Sequence, residues 1–302
     1  MRSQTVRTIL KNKWLYVMMI PGLLYFVVFR YGPMWGLVVA FKNYNPFLGI
    51  MDSPWAGFSH YIRFLTSNEC IRLFRNTLML AAYNIVFYFP MPIILALMLN
   101  EIRGKHFRNT VQSLIYVPHF ISWVVVVGIC YIFFNAQDGS FVLLAENIGL
   151  DISTLLTSRQ FFRPVIIAQI IWKESGWGTI IFLAALVGVD TQLYEAAYID
   201  GAGRWKRLLH ITLPSITSTI VVMLILRLAK FMDTGIDQIF NMINSLNRDV
   251  AEVFDTYVYE TGLRQGLMSY STAVGSFKSV IGLFLVYVSD KIAKALGEEG
   301  VY

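Results

Sequence analysis

The chain has 302 residues, 56% of them hydrophobic and only 15% charged, with 22 Phe, 16 Tyr and 7 Trp and a formal net charge of +6. Soluble domains run at about 45–50% apolar and about 25% charged residues, so these few charges cannot shield so much apolar surface in water. The composition excludes a disordered chain, a collagen-like fibre, a disulfide scaffold and an ordinary cytosolic enzyme, and leaves an integral membrane protein.

In chain order, residues 1–13 carry Arg2, Arg7, Lys11 and Lys13 and no acid, just ahead of the apolar run Trp14–Phe29. This reads as the cytoplasmic flank of a first span. A cleaved signal peptide is the competing reading; no small-x-small site follows Phe29, and further apolar runs do. Apolar character resumes beyond Arg30 in Met34–Phe41. Segment 30–77, with Pro33, Pro46, Gly49, Pro54, Gly57 and many aromatics, reads as an ordered extracytoplasmic cap.

Leu78–Leu99, Val111–Phe134, Pro164–Val189, Pro214–Phe231 and Ala273–Ser289 complete a set of six runs near the length a spanning helix needs. They lack the polar–apolar alternation of a barrel wall. The expectation is therefore an all-α bundle forming a single transmembrane domain over residues 1–302, with both termini on one side. With the N-terminus inside, the inner segments 1–13, 100–110, 190–214 and 289–302 hold 12 Lys and Arg in 63 residues, whereas 30–77, 135–163 and 233–272 hold 9 in 117. That asymmetry places both termini, including a tail at 290–302, in the cytoplasm. Cys70 and Cys130 have no metal-type spacing and read as a free thiol and a small core residue.

Span four contains Trp172-Lys173-Glu174-Ser175-Gly176-Trp177-Gly178. Lys173 lies ten residues beyond Arg163, about 15 Å along a helix. Central charges are costly and usually face a cavity or a partner, and adjacent helical residues do not face each other. Lys173 and Glu174 are therefore not expected to neutralise one another, and Gly176 and Gly178 read as loosening the helix. One reading places Trp172, Lys173, Glu174, Trp177 and Lys278 along a substrate pathway, with the Trp rings stacking on sugars. The other makes the charges structural and the Trp rings packing. Arg227 and Lys230, toward the outer end of span five, read as snorkelling.

The inner loop 190–214 contains Glu195-Ala196-Ala197-Tyr198-Ile199-Asp200-Gly201-Ala202-Gly203 and ends in Ile211-Thr212-Leu213-Pro214. Two short helices broken at Asp200-Gly201 are expected, because Gly takes the positive φ of a tight reversal. Glu195 is placed in a first helical turn, where a negative charge suits the dipole, and Pro214 in the first turn of span five. The small residues offer a surface for close approach by another protein; the alternative is a tight basic connector.

Glu195, Ala196, Ala197, Gly201, Ile211, Leu213 and Pro214 resemble the EAA loop of permease subunits of binding-protein-dependent ABC importers. Tyr116-Val117-Pro118-His119-Phe120-Ile121-Ser122-Trp123, Asp255-Thr256-Tyr257-Val258-Tyr259 and Gly297-Glu298-Glu299-Gly300 resemble its oligosaccharide-uptake branch. The resemblance implies a type I importer transmembrane fold in a bacterial cytoplasmic membrane. In it, Asp200 and Ala202 join the loop that docks on a cytosolic ATPase. The implied partners are a second, different permease, two ATPase subunits holding ATP and Mg, and an extracytoplasmic solute-binding protein. No cofactor, metal or nucleic acid is expected on this chain. It contains no G-x-x-x-x-G-K-[ST] loop, its Gly104-Lys105 pair lacking the surrounding residues. His60, His106, His119 and His210 form no H-E-x-x-H motif, which disfavours a polytopic membrane enzyme. Missing internal repeats disfavour a secondary transporter. His119 reads as a bonded structural residue.

Overall fold

The computed structural model describes residues 11–295, side chains at 292, 293 and 295 excepted. Arg2, Arg7 and Gly297-Glu298-Glu299-Gly300 lie outside the described residues. Helices dominate: α1 Lys13–Phe41, α2 Ser59–Leu65, α3 Asn68–Glu101, α4 Lys105–Phe120, α5 Trp123–Phe134, α6 Ser140–Asn147, α7 Arg159–Val187, α8 Thr191–Ile199, α9 Arg204–Ser215, α10 Thr217–Ala229, α11 Ile236–Met242 and α12 Met268–Ala295. Among the described residues the only β pairing is two isolated bridges, Lys42 with Trp55 and Asn45 with Gly49.

Four helices are long and apolar enough to span a membrane, and six spans result if α4 with α5 and α9 with α10 each count as one bent span. Several expected boundaries move. Span one does not stop at Phe29; α1 continues through a π-helical turn at Val27–Tyr31 that contains Arg30, and then through a 3₁₀ stretch to Phe41. Helix α3 starts at Asn68, so the cap between the first two spans is shorter than 30–77. Span three is not straight: it turns by 102° between α4 and α5. Pro118 removes a backbone donor there, and Ser122, in extended conformation, restarts the helix by accepting from the Val125 N–H at 3.4 Å. The last helix begins before Ala273 and runs past Ser289 into the segment assigned to the tail.

The described residues form two compact units: those up to Thr66 with Val258–Ser276, and Ser67–Tyr257 with those from Phe277 on. In the first, α1 is exposed from Lys13 to Trp35, and its end is packed, with Val39 and Ala40 buried. The cap is ordered, as its composition suggested. Lys42 Nζ donates to the Ile50 and Met51 carbonyls at 2.7 and 2.6 Å. The Tyr44 N–H donates to Ser269 Oγ at 2.8 Å, and Phe64 is buried against Tyr270.

In the second unit α7 is the central helix. Its 29 residues extend about 43 Å at 1.5 Å per residue, more than a bilayer core requires. Lipid supplies no hydrophobic drive between spans, so close approach of backbones has to hold them together. Gly176 and Gly178 provide it. A Cβ at Gly176 would overlap the Ile115 carbonyl, and one at Gly178 would press on Pro92 at 2.9 Å. These glycines pack α7 against α4 and α3 within an unbroken helix; they do not loosen it.

At the start of α7 a charged clasp fixes the segment before Phe254. Arg72 pairs with Glu252, which also receives Arg248 at 2.9 Å, and Arg159 pairs with Asp249. Asn76 Nδ2 donates to the Asp249 and Glu252 carbonyls at 2.8 and 3.0 Å, and Asn76 Oδ1 accepts from Arg163 at 3.0 Å. Above this, Gln238 on α11 donates to Gln169 at 2.8 Å. Ile239 and Met242 then enter a core with Leu80, Val127 and Ile166.

Candidate functional site

The elbow between α4 and α5 brings His119 and Trp123 against the middle of α7. Lys173, only 5% exposed, donates from Nζ to the His119 carbonyl at 2.7 Å and to Glu174 Oε1 at 2.9 Å. It also sits 5.2 Å from the Trp123 ring centroid. Glu174 Oε2 meets His119 Nδ1 at 2.8 Å. The imidazole stacks on Trp177 at 4.5 Å and 5°. Lys173 and Glu174 therefore do pair, against the expectation from helical geometry. The long lysine stem folds back once His119 supplies an acceptor and a second partner for the carboxylate. His119 is bonded, as its lone position suggested.

Beside this cluster the second unit forms a half-open cavity of about 250 Å³. Tyr88, Trp123 and Phe231 give it aromatic walls, and Asn84, Gln238 and Thr234 give it polar ones. Its charged lining is Glu174, Arg227, Lys230 and Asp233. Arg227 does not snorkel. Its Nε donates to Asn84 Oδ1 at 2.8 Å and its guanidinium lies 4.9 Å from the Tyr88 ring centroid. Both partners sit on the π-helical segment Asn84–Tyr88 of α3, just ahead of Pro90. A π turn is a frequent device at functional sites, and here it swings Asn84 and Tyr88 toward α10.

Of the five pathway candidates, Glu174 lines this cavity. Lys173 and Trp177 lie behind it in the cluster, and Trp172 is about half exposed outside the lining. Lys278 is paired with Asp255 at 2.5 Å, also outside the lining. Sequence reasoning passed over Asn84 and Tyr88, and read Arg227 and Lys230 as snorkelling where they line the cavity. The available signal was a polar Asn and an Arg embedded in otherwise apolar runs.

The loop 190–214 folds as a reversal between α8 and α9. Asp190 caps α8, accepting from the Gln192 N–H at 2.9 Å. The helix ends in a Schellman arrangement, with Gly201 at φ +72° and N–H groups of Gly201 and Ala202 donating to Tyr198 and Ala197 carbonyls at 3.0 and 2.8 Å. Because Asp190 is the cap, Glu195 falls in the second turn, not the first, and the dipole argument for it lapses. The second helix is not short either, since α9 runs to Ser215. Pro214 lies inside that run, two residues past the end of a π-helical stretch, Leu208–Thr212. The wider i→i+5 turns absorb the donor that proline lacks. The bend of 58° follows at Ile216.

Glu195, Ala196, Asp200, Gly201 and Pro214 are exposed, whereas Ala197, Ala202, Ile211 and Leu213 are partly buried. Tyr194 Oη shares a hydrogen bond with Thr212 Oγ1 at 2.9 Å and ties α8 to α9. No atom lies within 4 Å of a Cβ built on Gly201 or Gly203. Around them Tyr198, Ile199 and Trp205 are 72%, 84% and 78% exposed. Large apolar side chains are thus exposed on an otherwise polar loop, a feature common to interaction surfaces.

Known proteins resemble this chain over most of its length. The model of the family described as "Binding-protein-dependent transport system inner membrane component" matches residues 89–296. Protein LplB of Bacillus subtilis (strain 168) is 51% identical over 292 residues, covering 97% of this chain and 92% of that protein. The polygalacturonan/rhamnogalacturonan transport system permease protein YteP of the same organism is 48% identical over 301 residues, covering 100% and 94%. Among solved structures, a chain of a bacterial alginate ABC transporter, in complex with an alginate pentasaccharide-bound periplasmic protein, superposes with a TM-score of 0.90 at 37% identity. The match covers 98% of this chain and 99% of that one.

Proposed function

This chain belongs to the family of binding-protein-dependent transport system inner membrane components, and on that premise we propose that it carries an oligosaccharide across the cytoplasmic membrane as one permease subunit of an ABC importer. It is a multi-pass membrane protein with the fold of a type I importer transmembrane subunit. Fragments of polysaccharides such as pectin or alginate are the candidate cargo, since relatives with close to half or more than a third of their residues in common are named for such polymers.

The observation that carries the reading is the exposed reversal at Gly201. There a Glu-Ala-Ala-x3-Gly pattern coincides with the uncovered apolar side chains Tyr198, Ile199 and Trp205. This surface is assigned to a groove on a cytosolic ATPase. Two ATPase subunits would hold ATP and Mg, a second and different permease would complete the pathway, and an external solute-binding protein would deliver the sugar. Nucleotide-driven closure of the ATPase pair would draw the coupling loops together and switch the cavity between outward and inward access. Loop 190–214 and both termini are then cytoplasmic, and α1 faces lipid.

The test is uptake of labelled oligosaccharide into cells carrying the whole importer. Uptake should disappear when this chain is deleted, and also when the phosphate-loop lysine of the ATPase is replaced. Uptake that persists without a competent ATPase would instead favour a transporter driven by an ion gradient.

A further inference from the structure

The cavity beside α7 holds charges that its own walls do not use up. Glu174 is engaged by Lys173 at 2.9 Å and by His119 at 2.8 Å. Arg227 makes no ion pair among the described residues; its hydrogen-bond partner is the neutral Asn84, through Nε, and its ring partner is Tyr88. Lys230 is exposed to the same space without an ion pair among the described residues. Asp233 also lines the cavity, and neither it nor Glu174 forms an ion pair with Arg227 among the described residues.

With Lys173 and Glu174 cancelling, the remaining lining carries Arg227 and Lys230 against Asp233, an excess of one positive charge. A charge placed within a span usually pairs or faces a polar cavity that serves function. With Nε committed to Asn84, the two terminal nitrogens of Arg227 remain, a fork that matches a carboxylate. The rest of the wall suits a sugar: Tyr88, Trp123 and Phe231 for ring faces, Gln238 for hydroxyls, and Thr234, whose Oγ1 is buried with no hydrogen-bond partner.

We propose that this cavity is a uronate subsite, in which Arg227, held in place by Asn84 and Tyr88 and assisted by Lys230, reads the carboxylate of an acidic oligosaccharide. This rests on the permease reading above, whose candidate cargoes are acidic polymers, and adds to it the residues that select for the carboxylate. A neutral sugar would leave the guanidinium without an anionic partner, whereas a uronate matches the surplus charge.

The experiment uses the importer purified with its own partners in nanodiscs, with the solute-binding protein left out so that it cannot impose selectivity. The probes are trigalacturonate and trimannuronate, each alongside its methyl ester, and binding is read by tryptophan fluorescence and calorimetry. The wild type should prefer the acids. Arg227→Gln should weaken binding of the acid by roughly tenfold or more, the scale of one charge-assisted hydrogen bond, with the ester unaffected. Arg227→Lys should recover part of the loss, and Lys230→Gln, at an exposed position, should produce a smaller loss without disturbing the fold. Equal binding of acid and ester by the wild type would overturn the uronate assignment while leaving the sugar permease intact. So would a parallel loss of both in Arg227→Gln, which would make Arg227 a structural tie to Asn84. If none of the probes bound, the assignment would fall, and the uptake experiment would then show whether the permease reading falls with it.

Discussion

At the scale of the residue, the Lys173–Glu174–His119 cluster behaves as a unit because each member satisfies another in a poorly solvated place. Glu174→Gln keeps the shape but removes the anion, leaving the buried ammonium with the His119 carbonyl and the Trp123 ring. Losing a hydrogen bond to a charged group is worth about 1.5–3 kcal/mol. Transport should fall by roughly tenfold while the ATPase still co-purifies; unchanged uptake would assign the pair to structure alone. The Arg264–Glu260 pair, with Arg264 62% exposed, is the control: Arg264→Ala should shift stability by less than about 1 kcal/mol. Gly176 is a sharper case. Gly176→Ala would place its Cβ against the Ile115 backbone, and overpacking of that kind costs about 1–3 kcal/mol or more. Gly128→Ala meets nothing within 4 Å. Melting temperatures of the purified complex should drop for the first and hold for the second.

At the scale of the element, the reversal between α8 and α9 depends on one positive φ, at Gly201. Gly201→Val adds a side chain where L-residues are disfavoured by about 1–2 kcal/mol. It should leave the protein in the membrane yet sharply lower both uptake and ligand-stimulated ATP hydrolysis in proteoliposomes. Trp205→Ser and Ile199→Ser should act the same way with no strain at all, since those side chains are almost wholly exposed. Arg204→Ala removes one exposed charge beside them and should be nearly silent. If all four variants transported alike, the loop would be a plain connector. Glu195→Lys is expected to be milder than a first-turn position would suggest, because α8 is capped by Asp190 and Glu195 lies beyond the reach of the dipole's first turn.

At the scale of the whole molecule, the excess of Lys and Arg in the inner segments predicts a fixed orientation. With Cys70 and Cys130 replaced by Ser, Phe47→Cys, at a position 97% exposed, should react with a membrane-impermeant maleimide in intact spheroplasts. Arg204→Cys should react only after permeabilisation. The reverse pattern would invert the topology and remove the loop from any cytosolic partner.

Membrane insertion, helical class and the position of the loop were legible in the sequence because they follow from local quantities. Those are the length of apolar runs, the distribution of Lys and Arg, and a glycine at a fixed offset from Glu-Ala-Ala. Helix boundaries moved at Arg30 and at Leu208–Thr212, where π turns let a helix continue past a charge or toward a proline, and residue periodicity carries no mark of such turns. The partners of Lys173, the packing role of Gly176 and the place of Arg227 were decided by contacts across 54, 61 and 143 residues of chain. The sequence determined which polar groups enter the membrane. Only tertiary structure decided which of them cancel and which are left facing the cavity, because a buried charge takes its character from the neighbours that remain when water is gone.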